Sequence, residues 1–193
     1  KDAKWNTNEI DRWISAGHAQ HGLQPTTTAA RRTLIRRAHL DLLGIPPTVS
    51  QVERFLADKS KTATADLVDQ LLASDRYGER WGRHWLDVVR FAESAAHDGN
   101  NAYINAWRYR DWVIESLNHD KPFARFVGEQ IAADELFPED RGALPALGLH
   151  RLGPLRMNAG KQDLAKNRQE RLTEIMGSLY FLEPLCETGT EDW

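Results

Sequence analysis

Cysteine is nearly absent: Cys186 is the one thiol in a chain of 193 residues. That excludes an internal disulfide framework and any zinc site built from several cysteines. Long apolar runs are missing as well. No stretch approaches the roughly 18 consecutive apolar residues of a bilayer-crossing helix, and the opening KDAKWNTNEIDRW lacks the apolar segment of an export signal. Neither sign of charge dominates. A formal net charge of -3 gives no overall pull toward nucleic acid or acidic membranes. Glycine-rich phosphate loops, a nucleophile elbow and an HExxH motif are also lacking. No internal repeat or low-complexity tract occurs.

What is present is enough apolar material for a sizeable core, 41% of residues, at a length that suits one domain. Apolar residues recur at helical spacing in most segments, and alternating strand-like runs are hard to find, so an all-α, single multi-helix domain is expected over 1–193. Ile10, Trp13 and Ile14 make a first stripe that Gly22 ends. In AARRTLIRRAHLDLLG, Leu34, Ala38 and Leu42 share a face, and Gly44, Pro46 and Pro47 supply the stop and the corner. Thr48 precedes Gln51 by the three residues of a capping box, which predicts a helix over QVERFLAD. ADLVDQLLAS, the stretch from Glu79 to Ser94 with Ser74 or Asp75 as its cap, AWRYRDWVIESLN and FARFVGEQIAADEL are further helices, Pro122 suiting the first turn of the last. HDGNNAYIN is a polar loop. From 137 to 166 glycine, proline and isolated charges predict an extended, irregular region, after which helical spacing returns over 168–182.

Chemistry is most concentrated in ERWGRHWLDVVRFAES. Trp81, Trp85, Val88 and Ala92 fall on one helical stripe and are expected in the core. Arg83, Asp87 and Arg90 lie on the other side, at spacings that let the aspartate pair with both arginines. His84 sits at the boundary within reach of Asp87. A His-Asp pair orients an imidazole for acid-base work, yet it is equally a way to satisfy a half-buried histidine, and the structural reading is favoured. The second run, WRYRDWVIE, interleaves Trp107, Arg108, Arg110 and Trp112 as a possible stacking platform for sugars or bases. Core packing with arginine-carboxylate bridges is the favoured alternative. Asp98, Asn100 and Asn101 offer oxygen ligands but lack EF-hand spacing, and the histidines show no metal-ligand pattern beyond the loose His18 and His21 pair, so no metal site is expected.

Taken together, RRTLIRRAHLDLLGIPPT, LVDQLLASDRYGERWGRHWLDVVRFAES, AWRYRDWVIESLNHDKPFARFVGEQIAADEL, LHRLGPLRMNAG and RQERLTEI closely resemble a family. It is the domain of unknown function found beside cytochrome c-like modules in large secreted proteins of planctomycetes and verrucomicrobia. The resemblance runs from about residue 10 to 182, leaving 183–193 as a divergent tail. It implies a periplasmic or extracellular protein, with haem-bearing or other domains of a larger exported chain as partners and a possible link to polysaccharide use. Glu93, Asp111 and Asp134 match acidic positions of the family pattern, and Arg90, Arg108 and Arg110 match basic ones.

Family members carry a Cys-x-x-Cys-His motif after the last helix, where two thioethers and a histidine hold c-type haem. In the corresponding SLYFLEPLCETGTEDW, Cys186 occupies the first cysteine's place, but Gly189 and Thr190 stand where the second cysteine and histidine belong. Covalent haem is therefore not expected in this chain. The leading expectation is a noncatalytic accessory or interaction module. The alternative is a carbohydrate-active enzyme or carbohydrate-binding module using Glu93, Asp111 and Asp134, with His84 a further acid-base candidate and tryptophans as sugar platforms. Nucleic-acid binding is opposed by the negative charge.

Overall fold

The computed structural model describes residues 8–94 and 102–150, together with the helical residues 166, 169, 172 and 173. The helices are α1 Glu9–Gln20, α2 Arg31–Leu43, α3 Val49–Ala57, α4 Ala63–Leu72, α5 Asp75–Val88, α6 Ala106–Asn118 and α7 Phe123–Leu136, followed by a 3-10 helix, Leu144–His150. Among the described residues there is no strand, only an isolated antiparallel bridge between Ser94 and Ala102. The all-α expectation holds. Within the stretch read as irregular, however, the chain coils into the 3-10 helix and buries Ala143, Ala146 and Leu149. The calcium-like loop at Asp98, Asn100 and Asn101 lies outside the described residues, as do Cys186 and the tail.

The caps follow local chemistry. Thr48 and Gln51 form the reciprocal capping box, Gln51 N–H donating to Thr48 Oγ1 at 3.3 Å and Thr48 N–H to Gln51 Oε1 at 2.7 Å. Gly44 closes α2 in the left-handed conformation, φ 71°, which costs glycine nothing. Its missing side chain also leaves room for Arg80 of α5, whose Cδ would lie 2.8 Å from a Cβ there. Pro122 stands immediately before α7 as its cap.

The core has two parts. In the first, Ile35 of α2, Phe55 of α3 and Ala63, Leu67 and Leu71 of α4 bury one another. In the second, Val89, Tyr109, Trp112, Val113, Phe126 and Leu149 gather α5, α6, α7 and the 3-10 helix. α2 and α5 touch and join the two. α1 contributes no buried residue, and Trp13 is 78% exposed, so its apolar stripe faces outward.

α5 is rotated from the expected register. Gly78 and Gly82 are its buried residues, while Trp81 is 40% exposed and Val88 is exposed too. Only Trp85 of the expected stripe packs on the core, and it is half-buried. The reason is the close approach of α6: a Cβ on Gly78 would lie 2.4 Å from the Ile114 carbonyl oxygen, and one on Gly82 would lie 3.2 Å from Ile114 Cγ1. Asn118 of α6 locks this contact. Its Oδ1 accepts from Gly78 N–H at 2.7 Å and its Nδ2 donates to the Asp75 carbonyl at 3.0 Å, tying the first turn of α5 across the interface.

Candidate functional site

Because α5 presents its glycines to α6, its aromatic side chains are left along the edge of the contact. There Tyr77, Trp81, His84, Trp85 and Val88 form one wall of a groove of about 330 Å³, and Ser116, Leu117, Asp120, Lys121, Phe123 and Phe126 form the other. The rings are in mutual contact: Trp81 lies 6.2 Å from Tyr77 and 5.3 Å from His84, centroid to centroid. Asp120, φ 48°, takes the left-handed conformation in the turn between α6 and α7, a conformation that aspartate tolerates better than most residues. The Lys121 N–H donates to the Ser116 carbonyl at 2.9 Å and closes that turn. Ser116 is buried, and its Oγ has no hydrogen-bond partner among the described residues.

Beneath the groove lies a buried polar layer. Glu129 is 0% exposed and accepts hydrogen bonds from Trp112 Nε1 at 3.2 Å, from Arg125 Nε at 2.6 Å and from Lys121 Nζ. Lys121 Nζ sits 4.7 Å from the Trp112 ring centroid, and Arg125 reaches on to Asp140. Burial pushes the Glu129 carboxyl up, but the hydrogen bonds and charges of Lys121 and Arg125 outweigh it and hold the group below its ordinary value. The same contacts with Glu129 raise Arg125. Beside this clamp, Gln130 Oε1 accepts from Tyr109 Oη at 2.6 Å and Trp85 Nε1 at 3.0 Å, while its Nε2 donates to the Phe126 carbonyl at 3.0 Å. Trp112 stacks on Phe126 at 5.0 Å with an 8° tilt. The groove floor is thus a rigid aromatic layer whose polar atoms are satisfied from below.

The residues singled out by sequence are dispersed. Arg110 draws Glu93 and Asp111 together, at 3.2 and 2.9 Å, on the surface rather than in a cleft. Asp134 is exposed on α7 and forms none of the ion pairs among the described residues. Nor does Asp87 pair with Arg83 or Arg90 there; Arg90 instead adopts a left-handed backbone, φ 53°, just beyond α5. Among the described residues the charges of Arg90, Arg108, Arg110, Asp87, Glu93, Asp111 and Asp134 do not gather at one place: Arg110 holds Glu93 and Asp111, while Asp134 stands on α7 and joins no ion pair. His84 lines the groove as a neighbour of Trp81 and not as a partner of Asp87. Trp107 is exposed, with Arg108 Cζ 5.4 Å from its ring centroid. Trp112 is buried and serves the core rather than an open stacking surface.

Nothing in the sequence reading singled out Glu129, Gln130, Lys121 or Ser116. The available signal was local: Arg125 and Glu129 stand four apart, and Glu129 and Gln130 interrupt the apolar face of FARFVGEQIAADEL, where a carboxylate and an amide must find partners.

The chain matches the family model PSCyt2, described as a protein of unknown function (DUF1549), over residues 9–180. It belongs to that family. No curated protein and no solved structure matches it. The span that matches PSCyt2 contains α1 through the 3-10 helix, so the groove and the clamp beneath it both lie inside the family domain.

Proposed function

We infer that this PSCyt2 domain is a noncatalytic interaction module of a larger exported protein, and that a neighbouring domain of that protein docks bulky apolar side chains into the α5–α6–α7 groove. The observation carrying this reading is the open ring face of Trp81, set with Val88 and Phe123 along a groove that is mainly apolar and rests on a fixed floor. Exposed aromatic surface of this kind is the usual anchor of a protein interface. Against catalysis stands the placement of the carboxylates. Glycoside hydrolysis needs two carboxyl groups across a cleft, whereas Glu93, Asp111 and Asp134 line neither this groove nor the cavity between α2, α3 and α4. Among the described residues no group of three or more His, Cys, Asp or Glu side chains converges as a metal site.

Covalent haem does not fit the residues present, since two thioether bonds need two cysteines and the chain has one. A haem partner, on this reading, belongs to the adjoining domain. Carbohydrate binding is a second reading, favoured by the Asp120 carboxylate that lines the same groove as exposed Trp81, the mix of ring and polar groups that sugars use. Calorimetric titration of the domain with its adjoining domain separates them. Heat of association that Trp81→Ala removes supports docking; heat with xylo- or cello-oligosaccharides and none with the domain supports the second reading.

A further inference from the structure

The groove between α5, α6 and α7 is lined by one cation and one carboxylate, and only the cation is answered within the chain. Lys121 is spent on buried Glu129 and sits over the Trp112 ring. The Asp120 side chain lines the same groove, is exposed, and forms no ion pair or hydrogen bond among the described residues. The rings show the same gap. Cations of the chain lie over Phe55, Trp107, Trp112 and Phe137, but among the described residues none lies over Trp81 or Phe123, which are 40% and 45% exposed on α5 and α7. Asp120 is also costly where it stands. It follows His119, the cap of α6, in the left-handed conformation with φ 48°, a position usually held by glycine or asparagine and one where the carbonyl end of the helix disfavours an anion. A cation in the groove offsets the carboxylate and the helix end together.

We propose that the groove takes a guanidinium, supplied by an arginine of the docking domain, which stacks on the Trp81 ring and donates to the Asp120 carboxylate. Arginine suits both partners: its planar fork donates paired hydrogen bonds to a carboxylate, and its face lies on an aromatic ring. Its methylene stem is apolar and matches Val88 and Phe123 along the same walls. Lysine offers the charge without the plane, and a sugar hydroxyl offers a donor without the charge. This inference rests on the docking reading and specifies what the partner presents.

The probes are N-acetyl-arginine amide and N-acetyl-citrulline amide, in which a neutral urea replaces the guanidinium at nearly the same shape. Each is titrated into the whole chain at low salt and at pH 8, where free imidazoles are neutral, and the Trp81 indole N–H resonance is followed. The arginine probe is expected to bind saturably and about tenfold tighter than the citrulline probe, the joint worth of an exposed ion pair and a cation–π contact. Asp120→Asn keeps a residue that adopts the left-handed turn, and is expected to bring the arginine probe down to the citrulline level. Equal affinities on the unaltered chain, an arginine preference that survives Asp120→Asn, or no Trp81 shift with either probe up to roughly 0.1 M overturns the proposal. An adjoining domain that shifts Trp81 equally in the unaltered chain and in Asp120→Asn leaves the docking reading standing and removes the arginine. Arginine selectivity with no response to the adjoining domain does the reverse: the guanidinium site stands and the docking reading falls.

Discussion

Removing the Glu129 carboxylate is the most informative single perturbation of this fold. In Glu129→Ala three donors lose their acceptor at once. Breaking a buried ion pair by deleting one partner costs about 3–5 kcal/mol when the surviving charge is stranded. Here the Lys121 and Arg125 side chains are 21% and 45% exposed, so both cations turn toward water and screening reduces their share. The Trp112 N–H cannot escape, being buried, and an unsatisfied buried donor costs about 1–3 kcal/mol. The expected loss is therefore about 3 kcal/mol. Glu129→Gln keeps an acceptor for Trp112 and is expected to lose about half as much. Urea unfolding followed by tryptophan fluorescence measures both, provided the slope with denaturant is unchanged. A loss below about 1 kcal/mol for Glu129→Ala, or equal losses for the two variants, refutes the clamp. The sign with pH follows from the depressed carboxyl: its contribution is complete above the unfolded glutamate value of about 4.3 and disappears as pH falls through the lower folded value. The wild-type chain should thus lose more stability on acidification below about pH 4 than Glu129→Gln does.

Four further outcomes follow from the same geometry. Gly78→Ala drives a methyl into the Ile114 carbonyl and the Asn118 amide, and calorimetric melting should show a loss of about 2–3 kcal/mol. Trp85→Ala removes packing and two hydrogen bonds from the Tyr109–Gln130 layer and should cost about 3 kcal/mol in the same melt, whereas Trp81→Ala should cost under about 1 kcal/mol. Asp134→Ala, exposed and outside every ion pair among the described residues, should stay within about 0.5 kcal/mol of wild type; a loss of several kcal/mol would restore it to a network. A pyridine haemochrome spectrum of the acid-acetone-extracted chain should show no retained haem, and stoichiometric haem would contradict the single-cysteine argument.

Most helix positions and caps were legible in the sequence because they depend on near neighbours, but α5 stops at Val88 instead of running on to Ser94, Arg90 turning left-handed just beyond it. The Thr48–Gln51 box, the Gly44 stop and Pro122 ahead of α7 each follow from contacts within one turn. The register of α5 was not legible. Periodicity weights large apolar residues and so pointed to Trp81 and Val88, but the closest helix contact forms where side chains are smallest, at Gly78 and Gly82. With α5 turned, its aromatics line a groove, and among the described residues Asp87 forms no ion pair with Arg83 or Arg90. Glu129 was invisible for another reason. Of its partners, Arg125 is one turn away, but Trp112 comes from a different helix and Lys121 from the turn that joins them, a convergence that only tertiary packing creates.

The central claim is that the aromatic groove is a docking surface, and the indole N–H resonances of the chain's seven tryptophans report on it directly. Titrating the labelled domain with its adjoining domain from the parent protein, in parallel with xylo- and cello-oligosaccharides, should shift the Trp81 resonance and the neighbouring Trp85 resonance saturably with the domain alone, leaving Trp13 and Trp107 unmoved. Unchanged Trp81 at saturating partner domain, or a Trp81 shift produced by the oligosaccharides instead, would contradict the account.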